Sequence, residues 1–230
     1  MEPKPSPADT PAGDSGARRT RLRWFLRRVL YPLVVIAAIG ATIWWLDSRG
    51  SSGVSPTGVR YGPVDIPAAL ASPGSEAGPE EGKLAPDFLL ERLDGGELRL
   101  TDLRGKAVVI NFWATWCQPC RKEIPNLIQA YDKYRERGLV IVGVNLQEGK
   151  SVIESFAHDF GMDFPIVIDR TGSVAEDYRL LGLPTTFFVD RQGTVRSRFT
   201  GPFLESANGT NVQGAIDVTE LEKRIEEVLR

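Results

Sequence analysis

A single histidine, two cysteines and two methionines stand among 230 residues. Two cysteines are too few for a disulfide-rich scaffold or a four-cysteine zinc site, and one histidine cannot complete a two-cysteine, two-histidine set. An excess of positive charge is also missing. The 28 Lys and Arg against 30 Asp and Glu leave a formal charge of -2, without the footprint of a nucleic-acid binder. With 42% hydrophobic and 25% charged residues, the chain is not wholly disordered, collagenous or a polytopic membrane protein. At roughly 100–200 residues per domain, one ordinary domain with appendages is the expectation.

Charge is absent altogether from Val29 to Leu46. As a helix this run spans about 27 Å, close to the ~30 Å hydrocarbon thickness of a bilayer. Arg18, Arg19, Arg21, Arg23, Arg27 and Arg28 crowd one end, and Trp44 and Trp45 stand near the other. This asymmetry predicts one transmembrane anchor at 29–46, with the basic tail 1–28 cytoplasmic and everything after residue 47 outside the membrane. A cleaved signal peptide is the rival reading, but it calls for a shorter apolar run followed by a small-x-small site. Residues 47–83 carry Gly50-Ser51-Ser52-Gly53, Ser72-Pro73-Gly74-Ser75 and scattered prolines, a composition expected to form a flexible tether.

From Leu84 the pattern becomes that of a folded domain, 84–230. Phe88–Leu90 and Glu97–Leu100 flank Asp94-Gly95-Gly96 and predict a hairpin. Ala107–Phe112 and Leu139–Val144 are continuous apolar runs, as strands buried on both faces would be. A stripe of Ile124, Leu127, Ile128, Tyr131 and Tyr134 predicts a helix over 119–137, with Pro125 inside it. A second helix over 151–160 is expected to bury Val152, Ile153, Phe156 and Phe160. A short strand follows over 165–168 and a short helix over 173–178. A hairpin is predicted for 186–199 around Asp190-Arg191-Gln192-Gly193. Asp217 and Glu220 open a last helix, with Leu221, Ile225, Val228 and Leu229 inward. The stretch Gly201–Gly214 reads as a mobile insertion, and its Asn208-Gly209-Thr210 matches a glycosylation acceptor. The alternation implies an α/β domain with a mixed central sheet flanked by helices.

One constellation carries chemistry: Phe112-Trp113-Ala114-Thr115-Trp116-Cys117-Gln118-Pro119-Cys120. It lies where the first buried strand hands over to the first long helix. Two residues between the cysteines let both sulfurs meet within one turn, so a disulfide can open and close with little backbone movement. The helix N-terminus favours a thiolate at Cys117, and Pro119 suits the first turn. Arg121 after Cys120 breaks the haem-attachment signature. A structural disulfide stays open as an alternative, although a bridge closing so short a loop removes little entropy from the unfolded chain. His158 is expected to be solvated, leaving little support for a Cys-His pair.

The run from Phe112 to Glu123, together with Gly182-Leu183-Pro184-Thr185-Thr186-Phe187, resembles the membrane-anchored thioredoxin-like proteins of the TlpA/ResA type. Ala85-Pro86-Asp87-Phe88 is shared with peroxiredoxins too. The resemblance implies a thioredoxin fold with an extra N-terminal hairpin, and a reversible dithiol at Cys117 and Cys120. It also implies reduction of oxidised proteins outside the cytoplasmic membrane, commonly apocytochromes c, with no cofactor and no metal. A membrane thiol-electron carrier would restore the dithiol. Pro184 is implied to be cis, and Leu183 to offer backbone hydrogen bonds to a client. Trp116 is expected on the docking rim and Trp113 in the core. Glu123 either tunes the cysteines or is an ordinary acidic residue paired with the helix dipole or a nearby Lys or Arg. Two other functions remain open: a peroxide-reducing enzyme, and a non-catalytic binding module stapled by its disulfide.

Overall fold

The computed structural model describes residues 31–50, 59–70, 76–205 and 216–230. Its chain divides into two compact units, Met1–Ser52 and Gly53–Arg230. In the first, helix α1 (Tyr31–Gly50) occupies most of the uncharged run. Its Thr42 hydroxyl donates back to the carbonyls of Ala38 and Ile39 at 3.0 and 2.8 Å, so that polar group is satisfied within the helix. No helix among the described residues is long and apolar enough to cross a membrane. The tail 1–28 and the first residues of the expected anchor lie outside the described residues.

The second unit is built on an eight-stranded mixed sheet. Its strands are β1 (Gly62–Pro63), β2 (Phe88–Arg92), β3 (Glu97–Arg99), β4 (Ala107–Trp113), β5 (Leu139–Leu146), β6 (Ile166–Asp169), β7 (Thr185–Val189) and β8 (Val195–Thr200). They follow the order β1-β2-β6-β5-β4-β7-β8, with β3 paired to β2. Strands β4, β5 and β6 run parallel to one another, and the flanking pairs are antiparallel. The central strand β4 is buried at every residue. Its alternation sends Ala107, Val109 and Trp113 to one core layer and Val108, Ile110 and Phe112 to the other. The first layer is covered by α2 (Gln118–Tyr134), α3 (Lys150–Phe160) and α5 (Val218–Leu229), the second by the short α4 (Ser173–Asp177) and the segment around Ala85 and Phe88. Trp113 is fully buried, as expected.

Three expectations need correction. Val152 is 51% exposed, because α3 turns Ile153, Phe156 and Ala157 inward and leaves the residue before them on the outer face. Part of the expected tether is attached to the domain. Gly62–Pro63 pairs with Phe88 and Leu89, Val64 N–H donates to the Asp87 carbonyl, and Gly82 and Lys83 bond to Val195. The unpaired edges of β2 and β8 supply the backbone partners, which no tether composition reveals. Residues 51–58 and 71–75 of that segment lie outside the described residues. The expected insertion also begins as ordered chain. Strand β9 (Phe203–Leu204) pairs in parallel with β10 (Ile216–Asp217), and Phe203 is fully buried. Residues 206–215, with the Asn208 motif, lie outside the described residues. Asp217 caps α5 by accepting from Thr219 N–H at 2.8 Å, while Glu220 pairs with Lys223 and Arg224.

Candidate active site

The dithiol sits where β4 ends. Ala114-Thr115-Trp116-Cys117 makes a tight turn closed by Cys117 N–H to the Ala114 carbonyl at 3.2 Å, and Cys117 then serves as N-cap of α2. Its sulfur accepts from Cys120 N–H at 3.3 Å, one of the helix-end donors that lacks an intrahelical partner. Cys117 and Cys120 are joined by a disulfide with their Cα atoms 5.3 Å apart. Cys117 is 5% exposed and Cys120 not at all. Of the two, only Cys117, at the helix tip, keeps any exposure.

The Leu183–Pro184 peptide bond is cis, as the resemblance implied. Leu183 and the 68% exposed Trp116 line one groove of about 750 Å³ together with Leu146, Gln147, Leu180 and Leu181. Pro184 is buried behind it, its carbonyl accepting from Gly201 N–H at 2.9 Å. His158 lies apart from this groove with its side chain 90% exposed.

Glu123 is the departure from ordinary acidic behaviour. It points into the core one turn beyond Cys120, is fully buried, and makes no ion pair with a Lys or Arg among the described residues. Its carboxyl accepts from the Asn111 side-chain amide at 2.8 Å and from Phe203 N–H at 3.1 Å. Burial drives its pKa from 4.5 to about 8, against the opposing pull of those two hydrogen bonds. The dipole-or-cation alternative is thus replaced by a carboxyl held close to neutrality in the same core layer as both cysteines.

Three participants were not singled out by sequence reasoning. Asn111 breaks the apolar run of β4 and serves both Glu123 and the Thr186 hydroxyl; its polarity inside that run was a usable signal. Phe203 contributes a backbone N–H, which no residue type announces. Glu148, in the loop after β5, accepts from Thr115 N–H at 2.7 Å, from the Thr115 hydroxyl at 2.5 Å and from Asn145 at 2.8 Å. It holds the turn that presents Trp116 and Cys117. Among the described residues no group of three or more His, Cys, Asp or Glu is placed to hold a metal.

A redox disulfide capping the first helix after the central strand of such a sheet, with a cis-proline loop whose Leu183 shares a groove with Trp116, defines a thiol-disulfide oxidoreductase of thioredoxin fold. The chain belongs to the AhpC/TSA family, whose pattern matches residues 82–198. It is 49% identical over 120 residues to thiol-disulfide oxidoreductase ResA of Geobacillus thermodenitrificans (strain NG80-2), covering 52% of this chain and 69% of that protein. Against ResA of Bacillus subtilis (strain 168) it is 34% identical over 188 residues, covering 82% and 90%. A solved structure of a thioredoxin-family thiol:disulfide interchange protein from Chlorobium tepidum TLS matches with a TM-score of 0.54 and 26% identity, over 64% of this chain and 96% of that one.

Proposed function

We propose that the protein is a membrane-tethered, extracytoplasmic reductase of protein disulfides, with apocytochromes c among its clients and a membrane thiol-electron carrier as its source of electrons. The observation that carries this reading is the placement of the Cys117–Cys120 pair at the helix tip, beside a groove lined by both Trp116 and Leu183. In the reduced state the Cys117 thiolate attacks one sulfur of the client disulfide. An S–S bond forms between enzyme and client, and the client's other sulfur leaves as a thiolate that takes a proton. Cys120 then attacks Cys117, the internal bridge re-forms, and the second client thiol departs. Two electrons and two protons pass to the client. Glu123, near neutrality, can exchange a proton in the layer that holds Cys120, while Leu183 aligns the client chain through its backbone in strand-like fashion.

Support for the tether comes from the uncharged run Val29–Leu46 and the arginines before it. Retention of the full-length chain in membranes after alkaline washing is the expected result, and its release would remove the anchor from the proposal. The peroxide-reducing alternative calls for a threonine and an arginine aimed at the reactive sulfur. Here the Thr115 hydroxyl is given to Glu148 and the Arg121 guanidinium to the Thr115 carbonyl, which favours disulfide exchange.

The reaction is tested with insulin reduction and with Cys120→Ser, which should accumulate a mixed disulfide with its client. A measured potential is expected nearer the approximately −270 mV of thioredoxin than the approximately −120 mV of a strong oxidant. A value above about −180 mV would turn the reading toward an oxidase or isomerase.

A further inference from the structure

The residue after Cys120 is half-buried, and its side chain folds back over the turn that carries the reactive sulfur. The Arg121 guanidinium lies over two rings at once, 5.1 Å from the centroid of Phe156 and 5.4 Å from that of Phe160. Those rings are themselves stacked, 4.2 Å apart and inclined by 14°, and Phe156 rests on Trp113 at 5.2 Å. From this aromatic shelf Arg121 Nη1 donates to the Thr115 carbonyl at 3.3 Å. With Glu148 holding the amide and hydroxyl of Thr115, all three polar groups of the residue two before Cys117 are engaged. A guanidinium seated on aromatic faces loses much of its freedom before it bonds, so its hydrogen bond costs little further ordering.

We infer that Arg121 is a positioning residue for the dithiol. From its seat on Phe156 and Phe160 it holds the carbonyl of Thr115, fixes the turn that aims Trp116 outward and Cys117 at the helix tip, and keeps one positive charge beside that turn. This role rests on the oxidoreductase reading above. Of the other charged groups nearby, Glu148 from the loop after β5 bonds the turn, Glu176 and Arg179 line the groove with Trp116, and on the same helix Lys122 is exposed while Glu123 is turned into the core. Among them Arg121 is the cation that bonds to the turn itself.

The test compares the full-length parent with Arg121→Gln, Arg121→Lys and Phe160→Leu. It reads insulin reduction, the pH profile of Cys117 alkylation in the reduced protein, and thermal midpoint. Arg121→Gln should lower kcat/KM about tenfold, the equivalent of about 1.4 kcal/mol, and move the alkylation midpoint to higher pH at an unchanged thermal midpoint. Arg121→Lys, which keeps the charge on the shelf, should restore the alkylation midpoint and at least half of the turnover. Phe160→Leu, which leaves the arginine in place but removes half of its seat, should lower turnover about threefold, and it carries the test should Arg121→Gln not fold. Parental turnover and alkylation in Arg121→Gln, a lysine variant no better than the glutamine one, or an unaffected Phe160→Leu would each overturn the inference. Failure of the parent itself to reduce insulin would instead strike the oxidoreductase reading.

Discussion

Replacing Glu123 by Gln removes a charge from a place where the fold resists it. The carboxyl has a pKa of about 8 in the folded protein against 4.5 when unburied. An acid raised on folding binds its proton more tightly in the native state, so the native state gains from it at low pH. That gain is complete below the unfolded pKa and is lost as pH climbs through the folded one. Between about pH 4.5 and pH 8 the parent should therefore lose about 1.4 kcal/mol of stability per pH unit. From pH 5 to pH 8 the total is about 3–4 kcal/mol from this one group. Gln does not titrate. Like the protonated carboxyl it offers the Asn111 amide and the Phe203 N–H one good acceptor instead of two, so parent and variant should agree within about 1 kcal/mol at pH 5. The assay is urea unfolding of the oxidised protein at several pH values, since a closed disulfide removes the thiols from the titration. Asp169, whose pKa burial also raises, contributes the same slope to both proteins and cancels in their difference. A gap between parent and variant that stays constant within about 1 kcal/mol from pH 5 to pH 8 would refute the reasoning. In the reduced protein the same variant should shift the alkylation profile of the dithiol to lower pH, because a thiolate then forms without a second negative charge developing in its layer.

Gly193 has φ +83°, and a Cβ there would lie 1.2 Å from Arg104 Nη1, whereas Gly95 at φ +100° has open space around it. Gly193→Ala should cost at least about 2 kcal/mol and Gly95→Ala about 1 kcal/mol by denaturant unfolding; equal costs would mean that Arg104 moves aside freely. Arg99 pairs with the fully buried Asp87 carboxylate at 2.8 Å and donates to the Asp65 carbonyl at 2.6 Å. Asp87 keeps three other donors, from Phe88 and Thr101. Arg99→Ala should thus cost about 2 kcal/mol, below the full penalty of an unpaired buried charge, and should speed proteolysis within residues 59–70; an unchanged cleavage rate would show that the other contacts hold that segment. Trp116→Ala should leave stability within about 0.5 kcal/mol, as befits an exposed side chain, while raising KM for insulin more than for a small aromatic disulfide. Equal effects on both substrates would remove Trp116 from client docking.

Local chemistry along the chain was enough to determine where the cysteine pair stands, at the junction of the first buried strand and the first long helix. A Cys-x-x-Cys at a strand-to-helix junction closes within one helical turn, and Pro119, the helix start and the buried strand before it are all encoded within a few residues of one another. The order of strands and helices was legible for the same reason, since burial on both faces of β4 and β5 leaves continuous apolar runs. Tertiary structure alone decided the protonation of Glu123. Its neutrality depends on exclusion of water by a layer that includes Phe203, 80 residues away, and on a hydrogen-bond partner from β4. The grip on Thr115 by Glu148 and Arg121 is equally non-local, as is the attachment of Gly62–Pro63 to the sheet. Spacing along a chain specifies what meets within one turn of helix or one strand. A carboxyl's charge, a turn's rigidity and a tether's free length depend on dielectric surroundings and backbone partners that exist only once distant segments have packed.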